Sequence, residues 1–186
     1  MYLLRSLSED VQSSQLAFNN ETKTKRLILG ALFAGISALL QAQGGFLPGI
    51  GYLISPFATL PILICAMFSK SLGVMSYILT IFLLFLLLPS ELLVFPFTTG
   101  LLGVGIGAAF YFFKQRLSII SVGAILLTLG IMFLLYVVRF PVLGPVASDS
   151  FSFITAGSVC LFAFLYSWVW MELGLFFFKR LKPLII

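Results

Sequence analysis

Side chains able to do chemistry are few in this chain. Gln41 and Gln43, then Tyr52, Ser55 and Thr59, then Glu91, Thr98 and Thr99, and finally Arg139 and Asp149 stand between long apolar runs. Amides, hydroxyls, two carboxylates and one guanidinium can hold a small molecule by hydrogen bonds and an ion pair. Acid–base and nucleophilic chemistry are poorly served. The chain has no histidine, which removes His proton relays, Ser–His catalysis and the Cys/His zinc patterns. Cys65 and Cys160 lie in apolar runs without a cationic or basic neighbour, so both are expected to be small buried packing residues. The inventory points to binding rather than catalysis, with no metal and no cofactor.

Each candidate also has a purely structural reading. Glu91 serves as a solvated loop acid or helix-start charge, or else belongs to a ligand site. Gln41 and Gln43 either bond helix to helix or touch a ligand. Arg139 is an ion-pair partner of Glu91 or Asp149, the favoured reading, or an anchor for an anionic ligand. Phe46, Phe57, Phe95, Phe97, Tyr136 and Phe140 are the apolar neighbours that would line a pocket. Trp168 and Trp170 read as interfacial anchors, and Glu172 as an acid neutralised by Lys179 and Arg180.

The elements that must position these groups follow from composition. The chain is 61% hydrophobic and 9% charged, against about 25% charged in soluble domains. A soluble fold could not hide that surface, whereas a bilayer can. Its 186 residues leave room for roughly six spans of about 20 residues. The expected fold is all-α: a compact bundle of six transmembrane helices over residues 23–186, after a cytosolic tail at 1–22 that is too polar to span. Spans are expected at 23–43, 52–68, 72–88, 92–113, 117–138 and 151–178. Between the first two, QAQGGFLPGIGYLISPFATLP holds four glycines and three prolines without a charge. It is too broken for one straight helix and too apolar for a water-exposed loop, so a broken or re-entrant segment covered by protein is expected. The GxGxG at Gly103–Gly107 sits inside an apolar run rather than after a strand. It reads as a close-packing face, not a nucleotide loop.

With six spans, ten of the eleven Lys and Arg residues fall on one side and Arg139 alone on the other. The positive-inside rule then places both termini in the cytoplasm of a multi-pass protein of a cell membrane. The net charge of +5 is thus a topology signal, with a contact to anionic lipids a further reading. Nucleic acid is not implied.

The first span carries Gly30, Ala31, Ala34, Gly35 and Ala38 at spacings of three and four. Small residues on one helix face let a second helix approach closely, and in lipid this is a main route to helix recognition. Six spans in under about 200 residues, both ends inside, and Ala34-x-x-x-Ala38 in the first helix resemble the substrate-binding S components of energy-coupling factor vitamin transporters, which act in the bacterial plasma membrane. The resemblance implies a partner set of one transmembrane coupling protein and two ATPase subunits, docked through Gly30, Ala31, Ala34 and Ala38. It also implies a vitamin or vitamin precursor bound at the outer face, with the glycine- and proline-rich stretch after Gln43 as its gate. The substrate-binding set is then Gln41, Gln43, Tyr52, Glu91, Thr98, Thr99 and Arg139. The alternative is a non-transporting membrane scaffold or assembly factor that holds a partner through the same small-residue faces.

Overall fold

The computed structural model describes residues 8–47, 49–139 and 153–185. Pro48, Phe140 and Asp149 lie outside them. Among the described residues all regular structure is helical: α1 (Ser8–Asn19), α2 (Lys23–Phe46), α3 (Gly51–Ile54), α4 (Thr59–Phe68), α5 (Lys70–Leu87), α6 (Val94–Phe97), α7 (Thr99–Phe112), α8 (Arg116–Tyr136) and α9 (Phe153–Ile185), with 3₁₀ turns at Ser55–Ala58 and Pro89–Leu92. Six stretches are long and apolar enough to cross a membrane: Lys23–Phe46, Gly51–Phe68, Lys70–Leu87, Pro89–Phe112, Arg116–Tyr136 and Thr155–Ile185. The first five match the expected stretches to within a few residues, and the sixth continues seven residues past the expected end at 178. Thr22, Thr24 and Lys25 share one surface pocket with Leu184 and Ile185, so the start of α2 and the end of α9 lie at the same end of the bundle.

The hub is α4. Its sequence TLPILICAMF is apolar all round, and every residue but Leu60 is buried. A helix without a polar face belongs in the interior. It packs against α2, α5, α7 and α9. The most extensive contact is with α7, where the glycine face works as the spacing predicts. A Cβ on Gly103 would stand 2.9 Å from the Thr59 carbonyl oxygen, and one on Gly107 would collide with Ala66.

The small-residue face of α2 is used within the chain. Gly30, Ala34 and Ala38 are buried, and α5 lies against them. Ser76 Oγ donates to the Gly30 carbonyl at 3.1 Å and Thr80 Oγ1 to the Ala34 carbonyl at 3.3 Å. These residues are therefore covered by α5 rather than presented to another protein. What remains outside on α2 is Ala31, which is exposed, and Gly35, with no atom within 4 Å of where its Cβ would stand.

Residues 8–19 depart from the expected tail. Val11, Ser14, Gln15 and Phe18, at helical spacing, are all buried. Gln15 Nε2 donates to the Met67 carbonyl at 3.0 Å, which satisfies one of the orphan acceptors at the C-terminus of α4. The Phe18 ring lies 5.1 Å from that of Phe68. So α1 closes the basic end of the bundle.

Candidate functional site

Two of the six long apolar stretches are interrupted, and both interruptions sit at the end of the bundle opposite the start of α2 and the end of α9. The first runs from Leu47 through α3 and the Ser55–Ala58 turn. It is shorter than the sequence indicates, because α2 continues through Gly44-Gly45 to Phe46. Gly49, at φ +83, supplies the left-handed residue that the reversal needs. The second interruption was not legible as a break. There the Pro89–Leu92 turn and α6 lead into Thr98, whose φ −119 and ψ −95 separate α6 from α7. Residue 130 must be glycine for this bend to fit, since a Cβ there would collide with the Phe97 carbonyl oxygen.

The polar residues of α2 tie both interruptions together. Ser37 and Gln41 stand four apart and so share a face. Ser37 Oγ donates to the Ala58 carbonyl at 2.9 Å, holding the first break. Gln41 is fully buried; its Nε2 donates to Glu91 Oε2 at 2.8 Å, and its Oε1 accepts from Thr99 Oγ1 at 2.8 Å. One carboxamide thus spans the second break from Glu91 to Thr99. The other carboxylate oxygen of Glu91 lies 3.0 Å from where a Cβ of Gly44 would stand, with Ser55 beside it. Glu91 is half-buried, and a carboxylate has about four acceptor directions. Its bond to Gln41 uses one of them, so the group can also take a donor from a bound molecule.

Of the expected set, Gln41, Glu91 and Thr99 are brought together. Thr98 is adjacent, but its hydroxyl donates to the Val94 carbonyl of its own turn at 2.7 Å. Gln43 likewise donates to Leu39 within α2 at 3.2 Å. Tyr52 points outward, 68% exposed. Arg139 follows α8 in a left-handed conformation, φ 57, and is exposed. Among the described residues no ion pair joins it to Glu91, whose observed partner is Gln41. The aromatic residues do not form one lining. Phe46 is exposed, Phe95 stacks on Tyr77 at 5.9 Å, and Phe97 packs on Phe133 at 4.7 Å.

Ser37 and Tyr77 complete the site and were not singled out from sequence. Tyr77 OH donates to the Pro96 carbonyl at 3.0 Å, steadying the second break. The i, i+4 spacing of Ser37 and Gln41 in an otherwise apolar helix was the available signal. Three other expectations are corrected elsewhere in the bundle. Trp170 is 3% exposed, edge-on to Phe57 at 5.6 Å, and so is a core residue rather than an interfacial anchor. Glu172 pairs with Arg116 at the start of α8 rather than with Lys179 or Arg180. Cys160 is exposed and only Cys65 is buried.

The arrangement ties α2 to both interrupted helices through hydrogen bonds and leaves Glu91 with spare acceptor capacity. Comparison with protein-family models, with curated proteins and with solved structures finds no match to this chain.

Proposed function

We propose that this protein is a multi-pass membrane protein that captures a small molecule at its outer face, as the substrate-binding subunit of an energy-coupling-factor type importer. The single observation that carries this reading is the Gln41–Glu91–Thr99 cluster set between two interrupted spans. In a bilayer, non-helical backbone is tolerated only where protein or a water-filled cavity covers it. Interrupted helices of this kind recur at substrate sites of membrane transporters. The belt of exposed Leu, Ile and Phe side chains around the bundle, Leu86 and Leu53 among them, accords with lipid contact.

In this reading the cluster end faces outward and the basic end faces the cytoplasm. The ligand is a vitamin-sized molecule whose N–H or O–H donors engage Glu91, and the segment 47–58 serves as its cover. Energy comes from a coupling protein and two ATPase subunits. Because α5 covers Gly30, Ala34 and Ala38, docking through the first helix falls to the outward edge at Ala31 and Gly35.

Native mass spectrometry of the gently purified chain tests this. A retained metabolite in the parent, lost in Glu91→Gln, is the expected result. Copurification with ATPase subunits that Gly35→Leu abolishes is the expected companion. A ligand-free parent that copurifies with an unrelated membrane protein would overturn the proposal in favour of a scaffold.

A further inference from the structure

The first and last spans both pack on α4 yet hardly touch one another. A seam is left between them. Along α2 its wall is Thr22, Lys25, Leu29, Phe33, Ile36 and Leu40, a continuous stripe at spacings of three and four. Along α9 the facing residues are Phe177, Leu181, Leu184 and Ile185. The seam has two stations. The deeper one is a cavity of about 330 Å³ with a wholly apolar lining, floored by Leu60, Pro61 and Ile64 of α4. The shallower one, about 420 Å³, is the mouth at the basic end, where Thr22, Thr24 and Lys25 are its polar residues.

We infer that this seam is a binding site for one anionic phospholipid, with an acyl chain in the apolar cavity and the phosphate at the Thr22–Lys25 mouth. Charge complementarity selects the occupant. Lys25 lines the mouth itself, opposite Leu184 and Ile185 of α9. Lys23 on α2 and Lys179 and Lys182 on α9 stand nearby in the same helix ends, while Arg26 is turned to Ser69 and Arg180 to Phe176, so the surroundings of the mouth are basic. Lys25 is bridged to Glu21 at 2.9 Å, but the pair is partly exposed and of a kind that contributes little, so a phosphate can take the ammonium. The mouth also lies at the first turn of a 24-residue helix, where backbone N–H groups favour an anion. Lengths agree as well. Lys25 to Phe33 is eight residues, about 12 Å at 1.5 Å per residue, within the roughly 15 Å half-thickness of a bilayer core. A chain anchored at the mouth therefore reaches the near edge of the cavity inside its own leaflet, while the far edge at Leu40, fifteen residues or about 22 Å from Lys25, lies past the midplane.

The inference rests on the membrane reading above, not on the transport reading. The test uses the full chain, purified in mild detergent and placed in vesicles of phosphatidylcholine with or without phosphatidylglycerol. Native mass spectrometry of the recovered protein should show one phosphatidylglycerol retained per chain, in preference to phosphatidylcholine. Lys25→Glu should lower that preference about tenfold, the size of one charge-assisted contact. Ile36→Trp, which fills the cavity, should lower retention of either lipid. Lys114→Glu, an exposed basic residue away from the seam, should leave both unchanged. Equal losses in Lys114→Glu and Lys25→Glu would show diffuse surface charge and overturn the site. So would equal retention of the two lipids by the parent. A chain that fails to float with phosphatidylcholine vesicles would overturn the membrane reading itself, and this site with it.

Discussion

Gln41→Leu is the most informative single change at the candidate site. The substitution nearly conserves volume in a fully buried position and removes two hydrogen bonds at 2.8 Å. A bond to an ionised partner contributes about 1.5–3 kcal/mol and a neutral one about 0.5–1.5 kcal/mol. Within membrane bundles such bonds average lower, about 0.6 kcal/mol, and leucine recovers part of the loss by avoiding burial of an amide. We expect a net loss of about 1.5–3 kcal/mol. Glu91→Gln keeps an acceptor and should cost about 1 kcal/mol; Thr99→Val should cost about the same. Because all three residues form one chain of bonds, the double variants should lose less than the sum of the singles, by at least about 0.5 kcal/mol. Equilibrium unfolding in mixed micelles, followed by far-ultraviolet circular dichroism, measures each corner of the cycle. If Gln41→Leu lies within about 0.3 kcal/mol of the parent, or the double variants are strictly additive, the carboxamide does not hold the two sides of the break together.

Two further changes probe how the rest of the bundle is held. Gly130→Ala places a methyl against the Phe97 backbone oxygen and should cost about 3 kcal/mol or more, whereas Gly35→Ala, with open space around it, should be neutral or stabilise by up to about 1 kcal/mol from helix propensity; equal effects in the same unfolding assay would contradict the packing at α6–α8. Phe18→Ala should cost about 3 kcal/mol, at the low end for a buried phenylalanine, and a loss below about 0.5 kcal/mol would return residues 8–19 to the role of a loose tail.

The six long apolar helices, and the limits of the first five to within a few residues, were legible in the sequence. Those features are local. A run of about 20 apolar residues has one economical backbone in lipid, and charged pairs such as Lys114 and Arg116 mark where it must stop. The glycine face of α7 was legible for the same reason, since i, i+4 spacing alone places Gly103 and Gly107 on one side. Pairing is a different kind of fact. Nothing local distinguishes a small-residue face that awaits another protein from one filled by α5, because the hydroxyls of Ser76 and Thr80 that seal it lie more than forty residues away. The same holds for Trp170, Glu172 and residues 8–19: each takes its environment from a helix distant in sequence. The site divides along this line. Gln41, Glu91 and Thr99 could be named from their types, but only the crossing of α2 over two interrupted helices decided that they touch. That crossing left Gln43, Tyr52 and Arg139, equally polar in sequence, outside the cluster.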